Sequence, residues 1–229
     1  MRVSVTSAED VLIERAAELN VLRALKLQAE IAMAEAQTEL YRLQGREIAK
    51  DLLDNDVEPV AQRILPFMGM VNEKNVMAAM YHLSKMAAKG KGPITVWFNS
   101  PGGYVVDGLA LYDYMVALRD GQGIHFTTVA LGEAASMAGV LLQAGTTRLV
   151  APHAGLLIHE VSGAAIGKTS ELEDEIAYTK RIQKRLLAIL AERSTLTVQA
   201  IARKWKKTDW WLEAEEAVEL GFADGVYFG

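Results

Sequence analysis

At 229 residues with 51% hydrophobic side chains, the chain can bury one sizeable core, which fits a single α/β domain with an appendage better than two full domains. A net charge of −5 and scattered lysines and arginines give no basic stripe, so nucleic acid is not an expected ligand. The absence of cysteine removes a thiol nucleophile, a Cys-ligated zinc site and a disulfide framework together, and permits a reducing compartment.

The chain opens with Met1 to Ser7, behind which no apolar signal core follows. No window approaches the roughly 18 uncharged apolar residues of a membrane span, so the expectation is a cytoplasmic protein with no membrane partner. From Ser7 to Leu53 there is no proline and one glycine, Gly45, among strong helix formers. Thr6 and Glu9 have the form of a capping box, which starts the helix near residue 7. Leu19, Leu22, Ala29, Met33, Ala36, Leu40 and Leu43 form a stripe at spacings of three and four, broken at Lys26, as on a coiled-coil seam or a packed amphipathic helix. Unbroken, such a helix spans roughly 70 Å and needs a neighbouring subunit or partner to cover its stripe. A hairpin turning near Gly45 is the open alternative. This arm is assigned residues 1–58, and a second domain residues 59–229.

Beyond Pro59 short apolar runs alternate with helical stretches, the α/β pattern. Strands are expected at Ile64–Met70, Ile94–Asn99, Ile124–Leu131, Thr147–Val150 and Gly155–Ile158. Helices are expected at Glu73–Ala88, Asp107–Leu118, Met137–Ala144, Ser170–Arg193, Thr197–Lys207 and Glu213–Leu220.

Three places carry chemistry. Asn99-Ser100-Pro101-Gly102-Gly103 sits between a strand and a helix, where glycines allow a tight turn with N–H groups directed outward, as an oxyanion hole requires. Ser136, in Gly-Glu-Ala-Ala-Ser-Met-Ala-Gly, reads locally as a helix N-cap. The same position suits a nucleophile, because the Met137 N–H and the helix start favour developing negative charge, and Ala134, Ala135, Ala138 and Gly139 leave room for a substrate chain. A serine needs an imidazole base. Of the four histidines, His82 and His125 read as structural or solvated, whereas His159 at a strand end is preferred over its rival His153. The orienting carboxylate cannot be chosen from 29 acidic residues by pattern.

Gly132 to Met137 resembles the nucleophile motif of the ClpP peptidase family, Asn99 to Gly103 its oxyanion loop, and Leu157-Ile158-His159 its histidine strand. Thr208-Asp209-Trp210-Trp211-Leu212 with the following helix, then Leu220-Gly221-Phe222-Ala223-Asp224, is similar to its C-terminal segment. The resemblance covers about residues 64 to 227. It implies the crotonase-type fold of stacked ββα units with a protruding helix at Ser170–Arg193. It also implies Ser136 as nucleophile, His159 as general base and Asp209 as orienting carboxylate. The N–H groups of Gly103 and Met137 would form the oxyanion hole, Gly102 and Gly163 would lie along a bound polypeptide, and no metal or cofactor is needed. Its partners would be copies of itself in a ring, or in stacked rings.

Three departures stand out: a longer connection through Arg119 to Gly123, Glu160-Val161-Ser162-Gly163 where the family usually has Gln-Pro, and a helix in place of the N-terminal pore segment. The last two, with the Trp210–Leu212 and Leu220–Phe222 wording, point to ClpP-related phage head maturation proteases acting on capsid or scaffold proteins in the host cytoplasm. A housekeeping subunit working with an AAA+ unfoldase is the alternative. A crotonase-type acyl-CoA enzyme and a non-catalytic assembly subunit are the rivals from other classes.

Overall fold

The computed structural model describes residues 63–163, 166, 168–206 and 208–228, together with Lys26, Gln28 and Ala32. The chain divides into Met1–Val57 and Glu58–Gly229, and the fold below belongs to the second unit. The Thr6–Glu9 capping box, the Leu19–Leu43 stripe and the turn at Gly45 lie outside the described residues. Lys26, Gln28 and Ala32 are helical and exposed.

The elements run β1 (Ile64–Met68), α1 (Glu73–Ala88), β2 (Ile94–Ser100), α2 (Val105–Val116), a π-helical turn (Ala117–Gly121), β3 (Phe126–Ala135) and α3 (Met137–Leu142). Then follow β4 (Thr147–Val150), β5 (Gly155–Ile158), α4 (Thr169–Glu192), α5 (Val198–Lys204), β6 (Trp210–Leu212), α6 (Ala214–Glu219) and β7 (Gly225–Val226). This is the α/β class expected, with single strands and helices alternating from β1 to β4. Among the described residues no helix is long and apolar enough to cross a membrane.

Helix α1 shows how local sequence sets an element. Asn72 caps it by accepting from the Asn75 N–H at 2.9 Å, and Val76, Ala79, Leu83 and Met86 recur on its buried face, the spacing of an amphipathic helix. Its C-terminal end is closed by Arg63, whose guanidinium donates to the carbonyls of Met86, Gly90, Gly92 and Pro93. One side chain thus answers a carbonyl of the last helical turn and three of the loop that follows it.

The sheet runs β1-β2-β3-β4-β7, with β5 joined to β3 and β6 to β5. Every pairing is parallel except β5 with β6. β3 is the organising strand. Its first half pairs β2 and β4, the register to β2 shifts near Ser100, and along its last residues, Glu133 to Ala135, β5 takes the place of β4. Gly132, with φ of 69°, sits where the strand changes partners, a backbone conformation that favours glycine. The strand therefore runs to Ala135, past the expected end at Leu131.

The small residues that make this possible are interior. Ala134, Ala135 and Ala138 are buried, and a methyl group added at Gly139 would stand 3.0 Å from Leu156 Cδ1. The expectation that they make room for substrate is corrected: their size lets α3 press against β3 and β5.

Helix α4 is buried only along its second half, at Ile182, Leu186, Leu187 and Leu190, while Thr169 to Lys180 is almost wholly exposed. That is the expected protruding helix. β6 has no counterpart among the expected strands. Three residues are too few for a readable period, and it exists because β5 offers an edge to pair with.

The C-terminal end of α3 is fixed by polar contacts. Gln143 donates to the carbonyls of Gly139 and Phe222 and accepts from Arg148 Nη1 at 2.6 Å. Arg148, 2% exposed, also meets the Asp224 carboxylate at 2.7 Å, and Arg193 reaches the same carboxylate at 2.9 Å. Burial alone would push the Asp224 carboxyl up, but hydrogen bonds from Arg148 and the charges of Arg148 and Arg193 outweigh it and hold it below the ordinary carboxylate range.

Candidate active site

Ser136 occupies a strand-to-helix elbow between β3 and α3. Its backbone has φ of 55° and ψ of −121°, a region costly for a residue with a Cβ. It makes no side-chain capping bond, so the N-cap reading is replaced by a strained junction with a hydroxyl unused by the helix. The strain is held by neighbours: the Ser136 N–H donates to the Leu157 carbonyl at 2.9 Å, continuing the β3–β5 pairing by one residue.

The Pro-Gly-Gly loop closes over this elbow. Ser100, fully buried, accepts from the Gly102 N–H through its Oγ at 3.1 Å and tightens the turn. Gly102 and Gly103 have φ of 88° and 151°. A methyl at Gly102 would stand 2.6 Å from Ser136 Cβ, and one at Gly103 would overlap the Val71 carbonyl. Only glycine lets the loop approach so closely. The Val71 N–H donates to the Gly102 carbonyl and the Tyr104 N–H to the Val71 carbonyl. Among the described residues no hydrogen bond takes up the Gly103 N–H between them, which leaves a backbone donor beside the serine.

Ser136, His159, Gly103 and Met137 line one cleft. The register explains the meeting of serine and histidine: Ala135 pairs Leu157, so both chains leave the same strand ends within two residues. His153, the rival base, stands exposed in the turn before β5 and is not a wall of the cleft. His125 meets Thr147 Oγ1 at 3.1 Å, and the His82 imidazole on α1 is pushed down by burial first and by Lys85 second.

Asp209 is exposed and is not among the cleft walls. It immediately precedes β6, whose Trp210 pairs Ile158 in antiparallel register. One further step of that register sets Asp209 opposite His159. No hydrogen bond joins Asp209 to His159, or His159 to Ser136, among the described residues. Catalytic hydrogen bonds are often long before substrate arrives.

Gly163 stands exposed, with nothing within 4 Å of a methyl placed there. Beyond His159, Glu160, Val161 and Ser162 line the cleft in its stead. Sequence reasoning missed the opposite wall, formed by Leu186 and Leu190 of α4 with the buried Trp205 after α5. The leucine period of α4 marks these as an inward face, but nothing local says that the face looks onto a serine. The arrangement offers a hydroxyl, an imidazole and a spare backbone donor beside an apolar trough, the parts that acyl transfer to serine uses.

Known proteins were compared with the chain. The Clp protease family model matches residues 54–229. Over 135 residues the chain is 38% identical to "ATP-dependent Clp protease proteolytic subunit 2" of Chlamydia trachomatis, a match that covers 58% of this chain and 64% of that protein, under two thirds of its length. A Chlamydia pneumoniae protein of the same name is 36% identical over 143 residues, covering 62% of this chain and 68% of its own. The "ATP-dependent Clp protease proteolytic subunit" of Porphyromonas gingivalis is 33% identical over 208 residues, covering 84% and 90%. The chain belongs to the Clp protease family.

Proposed function

We propose that the chain is a serine endopeptidase that cleaves peptide bonds through an acyl-enzyme, acting as the proteolytic subunit of an ATP-dependent assembly. The observation that carries this reading is the strained Ser136, set in one cleft with His159 and beside the unused Gly103 N–H. Ser136 Oγ attacks the scissile carbonyl as His159 takes its proton. The N–H groups of Gly103 and Met137 receive the oxyanion, and His159 returns the proton to the leaving amine. Asp209 orients the imidazole, and a water activated by the same histidine then releases the acyl group. The substrate strand lies beside the Gly102-Gly103 loop, held by backbone hydrogen bonds that read little sequence.

The relatives bear the name of proteolytic subunits of an ATP-dependent protease, which supports a ring of copies fed by a AAA+ unfoldase over a phage head maturation role. Exposed Ile176 and Tyr178 on the protruding half of α4 are suited to contacts between copies. The N-terminal arm, residues 1–58, belongs to assembly in this reading. A fluorophosphonate probe is expected to label wild type at Ser136 and to leave Ser136→Ala unlabelled. An unlabelled wild type that still cleaves peptides would overturn the assignment. Stimulation of protein degradation by a Clp ATPase with ATP tests the partner, and degradation of folded protein without any ATPase would overturn that part.

A further inference from the structure

A second cavity, of about 250 Å³, lies at the other end of α3, walled by Tyr112, Arg119, Thr146, Ile189, Glu192 and Arg193. Its two guanidinium groups are fixed side by side, because they grip consecutive carbonyls of one turn. Arg119 donates to Ala144 O at 3.1 Å, and Arg193 donates to Gly145 O at 2.6 Å and Thr146 O at 3.1 Å. Behind them, Asp120 holds Arg119 and Asp224 holds Arg193. Arg119 thereby engages three of its five N–H groups, and the Nε–H of Arg193 makes no hydrogen bond among the described residues. Gln143, also on the wall, is spent on its own network.

Glu192 also lines the cavity, exposed and close enough for its charge to act on both Tyr112 and Arg119. Neither the Glu192 carboxylate nor the Tyr112 hydroxyl makes a hydrogen bond among the described residues. The charged groups facing the cavity or backing it are Arg119, Arg193 and Arg148 against Asp120, Asp224 and Glu192, so the surrounding charge sums to zero and favours neither a simple anion nor a simple cation. What the cavity offers is separated charge: donors on the turn, an acceptor on α4, and an apolar wall of Ile189 and the Tyr112 ring. The volume is that of about eight waters at roughly 30 Å³ each. Arg119 is carried on the π-helical turn Ala117–Gly121, an irregularity that recurs at functional sites.

We propose that this cavity is a second binding site, for a free α-amino acid with an apolar side chain. Its carboxylate lies on the spare N–H groups of Arg119 and Arg193, its ammonium on Glu192, and its side chain on Ile189 and the Tyr112 ring. The site draws on the same helices as the catalytic cleft: α3 gives Met137 and Val140 to the cleft and its C-cap Gln143 to this cavity, while α4 gives Leu186 and Leu190 to one and Ile189 to the other. Exopeptidase trimming of the peptides that an endopeptidase releases is the class of reaction that supplies the ligand. Only that consequence rests on the peptidase reading.

The test is calorimetric titration of the full-length Ser136→Ala chain with leucine, N-acetylleucine and leucinamide. Leucine is expected to bind saturably in the millimolar range, with each analogue that lacks one charge about tenfold weaker. Glu192→Gln is expected to weaken leucine by about the same factor while leaving N-acetylleucine unchanged, as a double-mutant cycle requires. No saturable leucine binding, or binding that Glu192→Gln leaves unaltered, would overturn the proposal. Peptide cleavage by the wild type is a separate measurement, so failure of this site and failure of the peptidase reading are seen apart.

Discussion

The two ends of α3 are built on opposite terms. At its start, Ser136 sits in an unfavourable backbone region without a capping bond, beneath a loop that only glycine permits. At its finish, Gln143, Arg148, Asp224 and Arg193 satisfy one another and the surrounding carbonyls. Six buried residues connect them. Strain at a reactive position persists only where the surroundings over-determine it; here the Leu157 carbonyl and the glycine loop hold the elbow, while the polar contacts fix the far end of the helix behind it. A reactive elbow and a polar anchor are thus two halves of one device.

Four experiments would break or sharpen this contrast. The largest effect is expected at the strained end: Ser136→Ala should lower peptide hydrolysis by about four orders of magnitude or more, with circular dichroism unchanged. Asp209→Asn should lower kcat by roughly a thousandfold with little change in KM, because the orientation of the imidazole fails while the cleft stays intact. An unaltered kcat would remove Asp209 from the mechanism.

At the anchored end Asp224→Asn should destabilise the fold by about 3 kcal/mol in denaturant unfolding, since it leaves Arg148 buried without its partner. The loss should depend on pH in a fixed direction. The native carboxyl is held below its unfolded value of about 3.9, so its contribution is complete above that value and fades as pH falls through the lower native one. Wild type and variant should therefore converge below about pH 3.9, and a constant gap would assign the stability elsewhere. The smallest effect compares two inactive proteins: Ser136→Gly should be more stable than Ser136→Ala by about 1 kcal/mol, the relief of a positive φ. Equal stability would show that the elbow is not strained.

Most of the architecture could be read from the residues because its elements are long or strongly periodic. The bounds of α1, β4 and β5 follow from runs that end in Asn, Gly or Pro. The place of His159 at the strand end that meets the cleft was legible for the same reason, since β5 is short and apolar. Ser136 was not legible as a strained residue, because its local neighbours spell a helix start. Its conformation comes from the Leu157 carbonyl and the glycine loop, both distant in sequence. Asp209 was open among 29 acidic residues until resemblance singled it out, and its placement opposite His159 depends on a three-residue strand. The polar anchor escaped for a related reason. Arg148 lies in a strand, where a charged residue ordinarily marks a solvent face, and only Asp224, 76 residues on, makes its burial tolerable.

The divided pairing of β3 also sets when the Ser136 elbow comes into being. Its early residues register with β2 and β4 and its last with β5, so the elbow acquires its shape only after segments far apart along the chain have docked. Such long-range closures come late and together in folding. A nascent or damaged chain holds the serine but not its geometry, and acquires the strained elbow only when the whole sheet is in place.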